Sequence, residues 1–177
     1  MSEPTSSVWA GRIHLTARPV RRSDGDALAA LGREVTATGP GPPGAVEAID
    51  GWVGEHVRTA LTGRGIVSVL EVDDPFAAVV VGAGLVKRTE SGIAQMSLSL
   101  SRTWWGSGVG HLLARHLVER CSAAGIGALV AECLPDRADM AHILTALGGR
   151  VLPPPAPGHL FVIDVAAVRT AGLLEVG

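Results

Sequence analysis

Apolar and polar residues alternate along several short stretches of the chain, which is the pattern of β-strands that bury one face. In the clearest of these stretches, Met96, Leu98 and Leu100 alternate with polar residues. Strands are predicted over residues 12–20, 66–72, 76–87, 93–100, 128–134, 150–152 and 159–165. The turn sequence at residues 73–75, Asp-Asp-Pro, predicts that the second and third strands form a hairpin.

Apolar residues recur at helical spacing in four other stretches. Helices are predicted over residues 23–35, 46–61, 109–124 and 136–147. Ser23, with Asp26 three residues later, is similar to a capping box, and Asp136 is a suitable N-cap for the fourth helix. Gly125 and Gly148 follow the third and fourth helices, and glycine commonly ends a helix at that position.

The stretch Leu98–Gly110, LSLSRTWWGSGVG, joins the end of a strand to the start of a helix through a glycine-rich turn. Gly106, Gly108 and Gly110 have no side chains that would keep a ligand away from the backbone. The first N–H groups of a helix lack partners inside the helix, so a phosphate or pyrophosphate is favoured there, and Ser107 adds a hydroxyl donor. The alternative is a strand-to-helix turn that binds no ligand.

The order strand, helix, strand around this turn implies a parallel pair of strands, and the chain is expected to adopt an α/β (α+β) fold. Its 177 residues suffice for one domain with a sizeable core. No internal repeat is present. We expect a single domain over residues 11–166, a loose N-terminal tail at 1–10 and a C-terminal tail at 167–177.

Composition excludes several classes of function. A net charge of −2 and 3% aromatic residues give little to attract or stack nucleic acid. Cys121 and Cys133 are twelve positions apart without the close pairs of a zinc or redox site, so buried thiols and no metal are expected. No secretion signal or membrane span is recognisable, so a cytoplasmic protein without membrane contact is expected.

The spacing of the turn narrows the ligand class. A dinucleotide fingerprint would need glycine at His111 or Leu113, and a P-loop would end in Gly-Lys-Ser/Thr. The remaining pattern, G-x-G-x-G at Gly106–Gly110, resembles the acyl-CoA loop of the GNAT superfamily of N-acetyltransferases. Trp105 stands where this family usually has Arg or Gln, so Trp105→Arg is expected to tighten CoA binding by roughly 1 kcal/mol.

Two other segments resemble GNAT motifs. Arg18-Pro19 follows the first strand as in the family's opening, and a helix from Arg137, in the place of a family Asn, leads to Gly148. The chain is most similar to bacterial protein lysine acetyltransferase (Pat-type) domains. This resemblance implies a central mixed, mostly antiparallel sheet with a splayed parallel pair, flanked by helices. The splayed strands would be residues 93–100 and 128–134.

The resemblance also implies acetyl-CoA, or another acyl-CoA, as co-substrate. Its pantetheine arm would pair with the main chain of the strand before the turn, and its pyrophosphate would lie on the turn. The expected cofactor-binding residues are Leu98, Ser99, Leu100, Trp105, Gly106, Ser107, Gly108, Val109, Gly110, His111 and Arg137. His111 is included for its position in the first turn of the helix, and its alternative is a surface or packing role.

The catalytic groups usual in the family are replaced. The Tyr that often acts as acid corresponds to Leu144, and the Glu of Pat-type domains corresponds to Gln95. A carboxamide can orient a water molecule or donate a hydrogen bond, but it cannot accept a proton at a useful pH. Glu132 on the neighbouring strand, or Glu71 on the hairpin, could supply the missing carboxylate. Glu132 is also the kind of residue that forms a structural ion pair.

Two functions remain open from the sequence. The first is an acetyl-CoA-dependent N-acetyltransferase for a small amine or a protein lysine, in which positioning provides most of the catalysis. The second is a catalytically degenerate GNAT that binds acyl-CoA as a regulatory or interaction module. The intact glycine turn supports cofactor binding in both cases. Either form is compatible with a homodimer.

Overall fold

The structure is a computed structural model that describes residues 5–10, 13–36, 51, 54–56, 58–60, 62–73, 79–89, 93–133, 137–152 and 159–170. Within these described residues, eight strands form one sheet. They are β1 (Ser6–Ala10), β2 (Ile13–Pro19), β3 (Gly65–Val72), β4 (Val79–Arg88), β5 (Ala94–Leu100), β6 (Ala128–Cys133), β7 (Arg150–Leu152) and β8 (His159–Asp164).

The strands follow the order β1-β2-β3-β4-β5-β6-β8-β7 across the sheet. Every neighbouring pair is antiparallel except β5 and β6, which run parallel. A parallel pair needs a long crossover, and the chain between these two strands supplies it as a helix. The predicted α/β fold with a mixed, mostly antiparallel sheet and one parallel pair is confirmed.

Helices cover both faces of the sheet. They are α1 (Gly25–Thr36), the segment α2 with helical residues 51, 54–56 and 58–60, α3 (Val109–Ala123), α4 (Ala138–Ala146) and α5 (Val165–Thr170). Buried apolar residues of α3, α4 and α5 form the largest core cluster with β5, β6 and β8. A separate cluster lies between α1 and the centre of the sheet, where Leu28 and Leu31 contact Val69. None of the described helices is long and apolar enough to cross a lipid bilayer.

Short 3-10 helices precede α1 and α3, at Arg22–Asp24 and Arg102–Trp104. The N-terminal cap of the first differs from the prediction. The backbone N–H of Arg21 donates to Asp24 Oδ2 at 2.6 Å, so Asp24, rather than the predicted pair Ser23 and Asp26, closes the capping contact. Asp24 is also buried against Arg18, which explains why the chain uses this carboxylate.

Both predicted tails are partly wrong. Residues 6–10 form strand β1, which pairs with β2 from Ser6↔Ala17 to Ala10↔Ile13. At the other end, α5 extends from Val165 to Thr170, and Val168 is 2% exposed within the core. Both segments are short and have a weak hydrophobic pattern, so their secondary structure depends on contacts with the rest of the folded chain.

The remaining elements agree with the pattern of the sequence, with shifts of a residue or two at their ends. Cys121 and Cys133 are buried free thiols, as predicted, and burial raises the pKa of Cys121 to about 12. Asp136, the turn residues 74–75 and most of the predicted helix over 46–61 lie outside the described residues.

Candidate active site

The glycine turn begins where β5 ends at Leu100 and leads into the N-terminus of α3. Gly106 has φ +71° and Gly108 has φ +83°, a region that residues with a side chain rarely adopt. Gly108 is the N-cap residue of α3 and supplies no side-chain cap. The first backbone N–H groups of α3 therefore need partners from outside the helix.

Gly110 lines the cavity beside the turn and also allows close packing there. A Cβ atom added at Gly110 would lie 2.6 Å from Ile143 Cδ1, a distance that real Cβ atoms do not show. The absence of a side chain thus lets α3 approach α4 closely. The hydroxyl of Ser107, which is predicted to donate to the ligand, donates in this structure to the carbonyl oxygen of Trp104.

A carboxylate from α1 holds the start of the turn. Glu34 Oε1 accepts hydrogen bonds from Ser101 Oγ at 2.7 Å and from the backbone N–H of Arg102 at 3.0 Å. This contact spans 67 positions of sequence, so nothing in the local pattern around the turn indicates it. It fixes the end of β5 relative to α1.

β5 and β6 pair over only three residues on each strand before they separate. Ala94, Gln95 and Met96 pair with Leu129, Val130 and Ala131. A cavity of about 90 Å³ opens beyond this point between the two strands and α4. It is lined by Met96, Ser97, Leu98, Ala131, Glu132, Met140 and Leu144.

The candidates for the catalytic base differ in their positions relative to this cavity. Glu132 is exposed and lines this cavity together with Ser97. Gln95 is exposed one step earlier on β5, where the strands are still paired, and it does not line the cavity. Glu71 is excluded, because both Nε and a terminal nitrogen of Arg18 donate to its Oε2. Leu144, in the place of the family Tyr, is fully buried at the cavity wall.

A second cavity, of about 170 Å³, lies between the turn and α4. Its wall includes Gly106, Gly108, His111 and His142, and the two imidazole rings meet edge to face with centroids 5.5 Å apart. Burial lowers the pKa of His111, although a hydrogen bond to the carbonyl oxygen of Gly108 opposes this shift. The neutral imidazole is therefore favoured at neutral pH when no anion is present.

Trp105 is part of a stacked arrangement beside this cavity. Its Nε1 donates to the carbonyl oxygen of Leu100 at 2.9 Å, and its ring packs against the core cluster below the turn. The guanidinium carbon of Arg137 lies 4.3 Å from the ring centroid, and that of Arg102 lies 5.2 Å from it. A cation over an indole face is an attractive contact.

Asp139 orients Arg137 in this arrangement. Nε and a terminal nitrogen of Arg137 donate to the two carboxylate oxygens of Asp139, each at 3.0 Å. These hydrogen bonds hold the pKa of Asp139 below its usual range, although burial opposes the shift. Arg137 thus brings positive charge beside the turn where Trp105 replaces the usual Arg or Gln. Sequence reasoning missed Asp139, Arg102 and Glu34.

No group of three or more His, Cys, Asp or Glu residues in the described part of the chain could hold a metal ion.

Comparisons with known proteins agree with this geometry. Residues 14–150 match the family model described as an acetyltransferase (GNAT) domain. No curated protein is similar enough in sequence to match the chain.

Solved structures with the same fold have low sequence identity to the chain. RimJ of Mycobacterium smegmatis, in complex with CoA-disulfide, has a TM-score of 0.68 and 17% identity, over 96% of this chain and 95% of RimJ. The putative acetyltransferase yncA of Salmonella typhimurium, with acetyl-CoA, has a TM-score of 0.71 and 16% identity, over 85% and 94%. RimL, described as a ribosomal L7/L12 alpha-N-protein acetyltransferase in complex with CoA, has a TM-score of 0.70 and 13% identity, over 92% and 99%.

Proposed function

The chain belongs to the GNAT acetyltransferase family, and from this premise we propose that it transfers an acetyl group from acetyl-CoA to a primary amine. The observation that carries the proposal is the separation of β5 from β6 beyond Met96 and Ala131. The opening leads to a cavity with a carboxylate, Glu132, and lies beside a turn suited to an anion. A thioester with a pyrophosphate in its carrier would use both features.

The chain's own groups divide the binding of acetyl-CoA between them. The main chain of Leu98–Leu100 lies at the opening between the strands, where it can pair with the amides of the pantetheine arm. Gly106–Gly110 and the start of α3 hold the pyrophosphate through backbone N–H groups. Arg137, held against Trp105 by Asp139, adds charge attraction at the same place.

We assign Glu132 as the general base that accepts the proton of the amine. The amine nitrogen attacks the thioester carbonyl, a C–N bond forms, the C–S bond breaks and CoA leaves as a thiol. The proton lost by the amine balances the proton gained by the thiolate. Glu132 lines the cavity between the strands, so it can take that proton directly or through water. Gln95 lies at the edge of this opening and can orient the amine or a water molecule.

The acceptor follows from what the site can accommodate and from the similar structures. The face that carries Gln95 and Glu132 is exposed, so it can receive an amine on a small molecule or on a protein. RimL is described as acting on the α-amine of a ribosomal protein. Peptides with a free N-terminus therefore belong in the test beside lysine peptides and small amines.

The experiment measures release of the CoA thiol from acetyl-CoA with each class of amine. We expect Glu132→Gln to lower kcat by roughly 10²-fold, which is typical for loss of a general base. Glu55→Gln, a change at an exposed carboxylate on α2 that pairs with Lys87, is the matched control and should keep the parent's kcat.

The alternative is an acyl-CoA-binding module without turnover. Leu144 and Gln95, in the places of the usual Tyr and Glu, favour it. If the parent binds CoA but neither the parent nor Gln95→Glu releases thiol with any amine, the module replaces the enzyme as the function. If Gln95→Glu raises turnover while Glu132→Gln leaves it unchanged, the base is not Glu132.

A further inference from the structure

The two strands that separate each carry one polar side chain at the same level of the opening. Met96 and Ala131 are the last residue pair of the parallel ladder. The next residues are Ser97 on β5 and Glu132 on β6, and both line the cavity of about 90 Å³ between the strands. The register would make them the next pair if the ladder continued. Ser97 and Glu132 therefore lie on opposite sides of the gap where it begins.

Ser97 and Glu132 also share a face of the sheet. Met96 is buried and Ser97 is exposed along β5, and Ala131 is buried and Glu132 is exposed along β6. Residues at the same level of two neighbouring strands project to the same side. Paired strands lie about 4.8 Å apart, so strands that have begun to separate leave room for a reacting group between the two side chains. A hydroxyl and a carboxylate thus border one substrate position.

The leaving thiolate of CoA needs a proton donor, and Ser97 is the hydroxyl placed to supply it. The chain contains no Tyr, and Leu144, in the place of the family Tyr, is fully buried. The hydroxyls of Ser101 and Ser107 donate to other groups of the protein. Among the described residues that line the cavity, only Ser97 has a hydroxyl group.

We propose that Ser97 is a catalytic residue that donates a hydrogen bond to the thioester sulfur and relays a proton to it from Glu132. The amine nitrogen attacks the carbonyl carbon, and Glu132 takes one N–H proton. When the C–S bond breaks, its electron pair stays on sulfur. The hydroxyl proton of Ser97 moves to the sulfur, and the proton held by Glu132 replaces it on Ser97. CoA leaves as a thiol, and both side chains regain their starting protonation.

This proposal rests on the proposed function, because it completes the path of the same proton. A divalent sulfur is a weak hydrogen-bond acceptor, whereas a thiolate carries a full negative charge. The hydrogen bond from Ser97 therefore strengthens as the C–S bond breaks. An interaction that is stronger in the transition state than in the ground state raises kcat and leaves substrate affinity nearly unchanged.

The test measures thiol release from acetyl-CoA and, separately, CoA affinity by calorimetry. Ser97→Ala should lower kcat at least about ten-fold and keep the parent's affinity for CoA. Ser97→Thr retains a hydroxyl on a side chain suited to a strand, so it should recover most of the lost activity. Thr145→Ala is the control and should keep the parent's kcat, because it removes a hydroxyl that bonds within α4 to the carbonyl oxygen of Ala141.

Two further measurements locate the hydrogen bond at the sulfur. Ultraviolet absorbance of the thiolate reports the pKa of the CoA thiol in its complex with the protein. This pKa should be higher in Ser97→Ala than in the parent, because a donated hydrogen bond favours the thiolate. The double variant with Ser97→Ala and Glu132→Gln should be little slower than Glu132→Gln alone, since both residues act on one proton.

The outcomes separate this role from the proposed function. An active parent with the same kcat in Ser97→Ala, or an unchanged pKa of the bound thiol, overturns the role of Ser97 and leaves the proposed function standing. A loss of CoA affinity in Ser97→Ala that matches the loss of turnover also overturns it, because the residue then serves binding. A parent that binds CoA but releases no thiol with any amine overturns both.

Discussion

At Gly108 the backbone enters α3 with φ +83°, and a Cβ atom there would meet nothing within 4 Å. We predict that Gly108→Ala lowers the free energy of unfolding by roughly 1–2 kcal/mol, the cost of a left-handed residue with a side chain. The turn presents its N–H groups only while residue 108 keeps this left-handed conformation. CoA affinity should therefore fall at least ten-fold in calorimetry.

Gly63 provides the matched control for this change. It has φ +65° and a Cβ atom there would also meet nothing within 4 Å, but it lies after α2 and not at the turn. Gly63→Ala should cost a similar amount of stability and leave CoA affinity at the parent's value. Equal losses of affinity in both variants would show that strain, and not the turn, causes the effect.

Trp105 leads to a prediction opposite to that from the family pattern. The resemblance alone favours Trp105→Arg as a tighter binder, whereas the structure has the ring packed on the core and bonded to Leu100. We predict that Trp105→Arg lowers the free energy of unfolding by about 2 kcal/mol and weakens CoA binding, because Arg137 and Arg102 lose an aromatic partner and gain a like charge.

Trp105→Phe separates the two contributions in urea unfolding and CoA titration. It keeps an aromatic face for Arg137 and removes the hydrogen bond to Leu100, so a loss of about 1 kcal/mol in stability with nearly unchanged CoA affinity is expected. Tighter CoA binding by Trp105→Arg would restore the interpretation from the family pattern.

At the scale of elements, a buried charge cluster joins β2, the first 3-10 helix and β3. Arg18, which is 6% exposed, donates to both oxygens of Asp24 at 2.8 and 2.9 Å and also binds Glu71. Burial opposes ionisation of Asp24, but hydrogen bonds from Arg18 and Arg21 outweigh it and lower its pKa. The cluster thus fixes the chain's entry into α1.

We predict that Arg18→Met destabilises the fold by about 3–5 kcal/mol, because it leaves the buried carboxylate of Asp24 and the partly buried carboxylate of Glu71 without this counter-ion. Urea unfolding at pH 7 measures this loss. Lys87→Met removes the exposed ion pair with Glu55 and should cost no more than about 1 kcal/mol. Similar losses in the two variants would contradict the structural role of the cluster.

At the scale of the whole molecule, stability depends on a histidine between α3 and β1. His116 is fully buried, and its Nδ1 lies 3.1 Å from Ser6 Oγ. Its Nε2 has no hydrogen-bond partner among the described residues. Burial, with a smaller effect of Arg120, lowers the pKa of His116 to about 4, so the fold holds the neutral imidazole.

The folded pKa lies below the ordinary value of 6.5, so the unfolded chain binds more protons between these two values. Stability from this residue is complete above pH 6.5 and is lost as the pH falls toward 4. Acidification from pH 7 to pH 5 should lower the free energy of unfolding by about 2 kcal/mol through His116 alone.

Urea unfolding at the two pH values checks this prediction. His116→Gln should lose about 2 kcal/mol less than the parent on acidification, whereas His159→Gln, at an exposed histidine of β8, should lose as much as the parent. An unchanged pH dependence in His116→Gln would assign the acid sensitivity to other groups.

The sequence by itself determined the local elements and their order. The alternation of Met96, Leu98 and Leu100 places a strand, and the glycines at 106 and 108 place a turn, because period and backbone freedom are properties of neighbouring residues. The strand, helix, strand order around this turn was enough to indicate the parallel pair. The resemblance of the turn to the family pattern was likewise recognisable from the sequence alone.

The tertiary structure alone decided how distant segments meet. Residues 6–10 form strand β1 because they pair with β2. Glu132, rather than Gln95, lines the cavity because β5 and β6 separate after three residue pairs. Glu34 and Asp139 contribute through contacts of their side chains, which no local pattern encodes. The physical reason is that strand separation, burial and charge pairing depend on residues brought together by folding, whereas periodicity is fixed within a few positions of the chain.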